Sequence, residues 1–184
     1  MSGESAVPSG VSAPPTVEPI RVLVPSRIGA LGVEFRHTTI SRLVVAPAGN
    51  VRRLYFQLSD YEDSEFLDEV FGRLSEFLAG ARRAPDLDYD LTLAEPDPFA
   101  RRVLKEVART SYGRTRTYKE LAEATGRPEA YRQVMASLER NPLPLLVPCH
   151  RIVPSKTGIG GWVGGEVRKK WLLRLERESA SQLI

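Results

Sequence analysis

The sequence contains little cysteine and histidine: its 184 residues include one cysteine and two histidines. A single cysteine excludes an internal disulfide framework, and so few thiol and imidazole groups make a poor structural zinc site. A chain of this length can bury a sizeable core without such cross-links. We therefore expect a protein of a reducing compartment, with neither a metal nor another cofactor.

Long apolar runs are also missing from the sequence. No segment approaches the roughly 20 consecutive apolar residues that a membrane-spanning helix requires. The N-terminal stretch "MSGESAVPSGVSAPPTVEP" is rich in Ser, Pro, Gly and Ala and lacks the basic start and apolar core of a secretory signal. We expect residues 1–19 to form a disordered tail and residues 179–184 to form a C-terminal tail after the second domain. The expected location is the cytoplasm, in association with the nucleoid and without membrane contact.

The charges are distributed unevenly along the chain. Residues 99–178 contain 17 Lys and Arg against 8 Asp and Glu, a net charge of +9. The rest of the chain contains 9 against 15, a net charge of −6, which gives +3 overall. A basic half indicates either a polyanionic partner or solvated helix faces, and charge alone does not separate the two.

Residues 20–95 have the pattern of a small α+β domain. The runs "IRVLV", "LGVEF", "ISRLVV" and "VRRLYFQL" are β-branched or aromatic and are separated by turn residues, which predicts an antiparallel sheet. Apolar residues at helical spacing in "SDYEDSEFLDEVFGRLSEFLAG", with acidic residues at its start and Gly80 after its end, predict one helix that covers this sheet. The run "YDLTL" at residues 89–93 predicts a further strand.

Residues 96–178 are predicted to form a second, mostly helical domain. An Asp-Pro pair begins its first helix, and Thr117 with Glu120 forms a capping box for the next. A further helix, with Pro128 in its first turn, follows a Gly-Arg-Pro turn. Two short helices joined in this way predict a helix-turn-helix, which is typical of DNA-binding proteins but also resembles a plain helical hairpin. The run "EVRKKWLLRLERE" predicts a closing helix.

Cys149 and His150 stand side by side in "LVPCHRIV". Only a thiolate is a strong nucleophile, and a nearby base oriented by a carboxylate can generate it. His150 is the adjacent base, and three glutamates are candidates for the carboxylate: Glu166, Glu176 and Glu178. An inert buried cysteine, a redox sensor, a thiol hydrolase and a transferase all fit these residues. A papain-like hydrolase fits least, because the other histidine, His37, lies far upstream in a predicted strand.

The segment "NPLPLLVPCHRIV" resembles the active-site signature of the O6-alkylguanine-DNA alkyltransferases, the methylated-DNA–protein-cysteine methyltransferases. The resemblance continues through "TRTYKELAEATGRP", "AYRQV", the Gly-rich loop and "RKKWLLRLE", and so covers the second half of the chain. It implies a DNA repair protein that flips O6-alkylguanine out of the duplex and transfers the alkyl group irreversibly to Cys149. By the same likeness His150 is the base, acting through a water, and Glu176 orients it. Tyr118 would assist the guanine leaving group, and Asn141 would brace the cysteine turn.

The resemblance also implies a way of binding DNA. Arg132, on the second helix of the helix-turn-helix, would fill the space that the flipped nucleotide leaves in the duplex, with the helix in the minor groove. The other implied DNA-binding residues are Gln133, Ala136, Arg151 and Ser155. The implied substrate pocket consists of Pro144, Val147, Trp162 and Val163. The implied partner is double-stranded DNA with an alkylated guanine, bound by a monomer.

The chain departs from the family pattern at four places. Met135 stands where glycine is common, and Glu139 follows one turn later. In the loop "GGWVGG", where tyrosine is common, Trp162 is the nearest aromatic residue, and "SYG" at 111–113 replaces the usual Pro-Cys-Gly. These changes bear on DNA affinity and on the range of alkyl groups accepted. One alternative is an alkyltransferase-like protein that binds lesions with little or no transfer, although such proteins replace the cysteine that is intact here.

Overall fold

The computed structural model describes residues 19–45, 56–57, 65–156 and 158–181. The predicted N-terminal tail therefore lies outside the described residues except for Pro19, and so does most of the segment "VRRLYFQL".

A three-stranded antiparallel sheet begins the fold, as predicted. Its strands are Ile20–Val24 (β1), Leu31–Arg36 (β2) and Thr39–Val45 (β3), with β2 in the middle. A two-residue strand, Phe56–Gln57 (β4), pairs in parallel with the free edge of β1. Every second side chain of β2 is buried, which places one face of the sheet against the core.

His37 occupies the hairpin turn between β2 and β3, so its predicted place in a strand is wrong. Its φ of 54° lies in the left-handed region that tight hairpin turns favour. The side chain is exposed there, whereas Cys149 is buried. This placement gives no support to a papain-like pair of Cys149 and His37.

Helix α1 (Glu65–Leu78) covers the sheet, as predicted, and its Phe66 ring packs against Phe35 with centroids 4.9 Å apart. The strand predicted at residues 89–93 is reduced to a single β-bridge between Tyr89 and Ile40, and the rest of that prediction is wrong, because Leu91–Ala94 forms a short helix, α2. The Asp90 carboxylate accepts from the backbone N–H of Thr92 at 2.7 Å and so caps this helix. A local side-chain cap of this kind outweighs the β propensity of the run.

The second half of the chain is mostly helical, as predicted. Its helices are Pro98–Ala108 (α3), Tyr118–Ala124 (α4), Tyr131–Glu139 (α5) and Glu166–Ala180 (α6). The predicted capping box at the start of α4 is present, and α4 and α5 form the helix-turn-helix. Pro128 precedes α5 and does not lie in its first turn, which corrects the predicted start of that helix. Helix α6 runs two residues beyond the predicted end of the domain at residue 178.

Two short parallel strands connect the helix-turn-helix to the cysteine segment. Arg116–Thr117 (β5) lies directly before α4 and pairs with Ile152–Val153 (β6), which directly follows the Cys149–Arg151 turn. This pairing brings the start of α4 beside the reactive segment.

The hydrophobic core continues across the domain boundary predicted between residues 95 and 96. The division into two domains therefore stays a prediction. One cluster of buried side chains includes Val22 of the sheet and Cys149 of the second half. The backbone N–H of Leu43 also donates to the carbonyl of Pro142 at 2.8 Å, which ties β3 to the segment after α5. Within the described ranges, none of the helices is long and apolar enough to cross a membrane.

Candidate active site

Cys149 lies in a sharp turn between α5 and β6. Cys149 is the first residue of a single 3-10 turn. Two residues before it, the backbone N–H of Val147 donates to the carbonyl oxygen of Leu143 at 2.8 Å. Leu145 adopts a φ of 77° within this bend, a conformation that a branched side chain rarely takes. Its side chain is buried in the core, so the surrounding packing holds this strained backbone in place.

Asn141 connects the end of α5 to the sulfur of Cys149. Its Nδ2 group donates to the carbonyl of Val147 and to Cys149 Sγ, at 3.0 Å in both cases. Its Oδ1 accepts from the backbone N–H of Leu143 at 3.0 Å. One buried amide therefore fixes both ends of the turn and places an N–H donor on the sulfur.

A second N–H donor reaches the sulfur from the Gly-rich loop. Trp162 Nε1 donates to Cys149 Sγ at 3.2 Å, and the indole meets the His150 ring edge-on with centroids 5.9 Å apart. The loop makes room for this large ring, because a Cβ atom on Gly164 would overlap the indole. The family resemblance implied that Trp162 lines the pocket but gave no signal for its bond to the sulfur.

The two donors act against the cost of burial. Burial raises the pKa of the Cys149 thiol, because it disfavours the charged thiolate, whereas the bonds from Asn141 and Trp162 favour the thiolate. The side chain is 3 % exposed, so its environment excludes most water. A thiol in this setting needs a base to react readily near neutral pH.

His150 forms a buried pair with Glu176. Its Nε2 atom lies 2.7 Å from Glu176 Oε1, and both side chains are buried. Burial lowers the pKa of His150, so the ring is neutral near pH 7. Because Glu176 can only accept, we assign the proton to Nε2, which leaves Nδ1 with a free lone pair. Nδ1 is buried and has no hydrogen-bond partner among the described protein groups.

Glu176 is selected from the three candidate glutamates by burial and by its contacts. The structure leaves Glu166 and Glu178 exposed on the same helix. Burial alone would raise the pKa of Glu176, but the hydrogen bonds from His150 and Arg151 and the positive charge of Arg151 lower it, so the carboxylate is ionised. The backbone N–H of Gly113 adds a further donor at 3.1 Å.

Gly113 is a site residue that sequence reasoning missed. Its φ is 70°, and a Cβ atom there would lie 2.8 Å from the Cβ atom of Ala180. Glycine therefore lets this segment approach α6 closely enough to reach Glu176. The signal was present in "SYG", which stands at a known motif position of the family.

Arg151 is placed in the interior, which corrects its predicted role in DNA binding. It is 5 % exposed, and its Nε atom donates to Glu176 Oε1 at 3.1 Å and Oε2 at 2.9 Å. Its Nη1 atom donates to the carbonyl of Thr110 at 2.7 Å, so the guanidinium is occupied by internal partners. A buried carboxylate without a counter-charge is costly, and Arg151 supplies that charge.

Lys169 is a buried cation, and its position in the basic run "RKK" gave no sign that it would be buried. Its Nζ atom donates to the carbonyls of Ile152 at 2.6 Å and Gly161 at 3.1 Å. Burial lowers its pKa to about 8. The amine therefore fastens the Gly-rich loop to β6 beside the cysteine.

A pocket of about 270 Å³ opens above the sulfur. Its lining residues are Tyr118, Met135, Leu138, Glu139, Cys149, Gly161, Trp162 and Val163. Trp162 and Val163 were predicted to line it, whereas Pro144 and Val147 are buried beneath the turn and do not. Both residues are buried and Val147 belongs to the hydrophobic core, which corrects their assignment to the pocket.

Tyr118 stands at the first position of α4 and faces the same pocket. Burial raises the pKa of its phenol, so the hydroxyl keeps its proton and can donate it. Its ring meets Tyr131 edge-on, with centroids 5.7 Å apart. The capping box before Tyr118 fixes where the helix begins and hence where the hydroxyl points.

The remaining predicted DNA-binding residues lie at the protein surface. Arg132 and Gln133 are exposed at the start of α5, Ala136 is half-buried one turn later, and Ser155 is exposed just after β6. Among the described residues, no cluster of three or more potential metal ligands is present.

A helix-turn-helix next to a buried thiol with a paired base defines a class of protein that performs thiol chemistry at a nucleic acid. Residues 98–178 match the family model described as the 6-O-methylguanine DNA methyltransferase DNA-binding domain. The chain is 36 % identical over 119 residues to a methylated-DNA–protein-cysteine methyltransferase of Methanosarcina barkeri, covering 64 % of this chain and 73 % of that protein. It is 37 % identical over 140 residues to the protein of the same name from Archaeoglobus fulgidus, covering 72 % and 90 %.

Solved structures give the same result. The fold matches the crystal structure of Mycobacterium tuberculosis O6-methylguanine methyltransferase with a TM-score of 0.74 at 27 % identity, over 88 % of this chain and 94 % of that chain. It also matches Mycobacterium tuberculosis OGT in complex with DNA, with a TM-score of 0.74 at 28 % identity, over 86 % and 93 %. The chain belongs to the methylated-DNA–protein-cysteine methyltransferase family.

Proposed function

We propose that this protein repairs O6-alkylguanine in duplex DNA by transferring the alkyl group irreversibly to its own Cys149. The observation that carries the proposal is the setting of the single thiol. Its sulfur faces a pocket beside the helix-turn-helix, accepts two N–H donors and lies next to a buried His–Glu pair. The relatives are named methyltransferases, which gives no support to a lesion-binding protein without transfer.

The chemical step is a displacement at the alkyl carbon. The Cys149 thiol loses its proton to Nδ1 of His150 through a water, and the sulfur attacks the carbon on guanine O6. An S–C bond forms as the O6–C bond breaks, and the bonding pair leaves with the guanine. The guanine gains one proton, which balances the proton lost by the thiol. A thiolate is a poor leaving group from the thioether so formed, so the S–C bond persists and each molecule reacts once.

Tyr118 is proposed to stabilise the leaving guanine. Negative charge develops on the base as the O6–C bond breaks, and a donor in a water-poor pocket stabilises that charge. The hydroxyl of Tyr118 faces the pocket and retains its proton because burial raises its pKa.

Helix α5 is proposed to enter the minor groove with Arg132 filling the space left by the flipped nucleotide. A stacked base cannot reach a buried sulfur, so the nucleotide must leave the helix. Arg132 and Gln133 are exposed at the start of α5, and Met135, Leu138 and Glu139 of the same helix line the pocket. The helix that would bind DNA is therefore also a wall of the pocket.

One copy of the chain is proposed to act on each lesion. The nucleophile, base and carboxylate all belong to one chain and meet in its interior, which supports a monomer. We propose the cytoplasm, in association with the nucleoid, as its place of action.

Incubation with duplex DNA that contains one O6-methylguanine, followed by intact mass measurement, tests the function. The protein should gain one methyl group, located on Cys149 by peptide mapping. A Cys149→Ser variant should gain none. Lesion-DNA binding without any mass gain would contradict the proposal.

A further inference from the structure

We propose that Trp162 is a second hydrogen-bond donor to the reacting sulfur and stabilises the thiolate of Cys149 during alkyl transfer. This inference rests on the proposed function, because it assigns Trp162 a part in that reaction. The carrying observation is the 3.2 Å contact from Trp162 Nε1 to Cys149 Sγ.

The donor is suited to a charged sulfur. An indole N–H can only donate, so the bond favours the state in which the sulfur carries negative charge. Hydrogen bonds to charged acceptors are stronger than those between neutral groups. Asn141 donates to the same sulfur at 3.0 Å from a different segment, so the thiolate would be held from two directions.

Several features hold the indole in this position. Its ring packs edge-on against His150, and the absence of a side chain at Gly164 leaves room for it. Lys169 donates to the carbonyl of Gly161, the residue directly before Trp162. The contact with His150 positions the ring and the Lys169 bond fixes the adjacent backbone, so the N–H group is aimed at the sulfur before the substrate arrives.

Trp162 is placed to act during the step in which the S–C bond forms and the O6–C bond breaks. The sulfur must carry its negative charge until it attacks the alkyl carbon, and both N–H donors stabilise it over that interval. Once the thioether forms, the sulfur is neutral and becomes a weaker acceptor. The bond from Trp162 therefore favours the reactive state over the product.

The variant Trp162→Phe removes the N–H group and keeps an aromatic ring. The thiol pKa should rise by about one unit, which lowers the thiolate fraction about 10-fold at neutral pH. A more basic thiolate is also a better nucleophile, so alkylation by iodoacetamide should slow only about 3-fold at neutral pH. Well above the thiol pKa the variant should instead react about 3-fold faster than the parent protein.

This crossing of the two pH–rate profiles separates an electronic role from a structural one. A damaged site would react more slowly at every pH, or show no change in thiol pKa. The single cysteine lets thiolate absorbance report Cys149 alone once the spectrum of the Cys149→Ser variant is subtracted. Trp171→Phe is the matched control, because it removes the only other indole, which packs against the core. Its thiol pKa and profile should equal those of the parent.

A measurement on the unaltered protein does not depend on how well a variant folds. With two tryptophans, the protein gives two indole N–H resonances, and Trp171→Phe assigns them. The Trp162 resonance should shift as the thiol ionises and again when Cys149 is methylated, whereas the Trp171 resonance should not. The proposal is overturned if the Trp162 resonance shifts neither on thiol ionisation nor on methylation of Cys149. An unchanged thiol pKa in Trp162→Phe would also overturn it.

The thiol titration uses no DNA, so it is independent of the methyl-transfer assay. A protein that titrates as expected but takes no methyl from DNA would refute the proposed function and leave the bond to the sulfur standing. Normal transfer with an unchanged thiol pKa in Trp162→Phe would refute this inference alone.

Discussion

His150 and Glu176 form a buried pair, with Nε2 and Oε1 2.7 Å apart. The pair has a defined polarity: Nε2–H donates to the carboxylate, and Nδ1 is left free to accept a proton. The carboxylate is in turn balanced by Arg151 and by the backbone N–H of Gly113. Charge is therefore fixed on the far side of the imidazole from the site where a thiol proton would arrive.

Glu176→Gln should slow methyl transfer roughly 100-fold or more, because the imidazole loses the group that fixes its tautomer and stabilises its charge. Affinity for lesion DNA should change little, since Glu176 is buried. Single-turnover transfer rates and DNA titrations measure the two effects. Glu178→Gln, an exposed position on the same helix, is the control and should behave like the parent. An unchanged transfer rate in Glu176→Gln would remove Glu176 from the relay.

Arg132→Ala should weaken repair of duplex DNA much more than reaction with free O6-benzylguanine. The free base is already outside a helix, so no side chain is needed to fill the duplex. Parallel rate measurements on the two substrates test this. Arg21→Ala on the sheet, where Arg21 lies 3.4 Å from Glu34, is the control and should leave both rates unchanged. Equal losses on both substrates in Arg132→Ala would contradict an insertion role.

Arg151→Ala should destabilise the fold by about 3–5 kcal/mol, because Glu176 would remain buried without its counter-charge. Denaturant unfolding monitored by circular dichroism measures this loss. The dependence of DNA binding on salt should stay the same in the folded fraction, whereas loss of one phosphate contact would lower that slope by about one. A lower salt slope at unchanged stability would restore Arg151 to the DNA-binding group.

The free energy of unfolding should decrease as the pH falls below about 6.5, the ordinary pKa of histidine. Burial lowers the pKa of His150 in the folded state, so the unfolded chain binds the proton first. The stability that the neutral ring provides is complete above the ordinary pKa and is lost toward the lower folded pKa, at up to about 1.4 kcal/mol per pH unit.

Unfolding curves at several pH values check this dependence, with His150→Gln and His37→Gln compared. The His150 variant should lose the decrease between about pH 6.5 and the onset of carboxyl titration near 4.5. The His37 variant should keep it, because His37 is exposed in a hairpin turn. If the decrease in stability disappeared in the His37 variant and not in the His150 variant, the assignment of the pH dependence to His150 would be wrong.

Patterns local in sequence predicted much of the fold. Asp97 with Pro98 and the Thr117–Glu120 box mark helix starts, because capping depends on neighbours a few residues away. The same locality explains the error at residues 89–93, because β propensity predicts a strand there while the Asp90 side chain caps a helix. The sheet and its covering helix were predicted because alternation and helical spacing are strong signals there.

The centre of the site could be predicted, but its surroundings could not. Cys149, His150 and Glu176 were identified through a specific motif, and three-dimensional contacts then determine how they meet. Arg151 follows directly after His150, and no sequence signal tells whether such an arginine turns inward to a carboxylate or outward to DNA. The bond from Trp162 to the sulfur likewise depends on the path of a Gly-rich loop, which local patterns do not define.

The hydrogen bond from Leu43 to Pro142 and the shared core have a practical consequence for truncation of this protein. The family model matches residues 98–178 alone. That range suggests expressing the second half by itself as a compact alkyl-accepting tag. Yet the segment that carries the sulfur is fastened to β3, and its buried side chains belong to the same cluster as those of the sheet. An isolated second half would expose to water the apolar side chains that pack against the sheet in the whole protein. A usable tag would have to retain the strands as well.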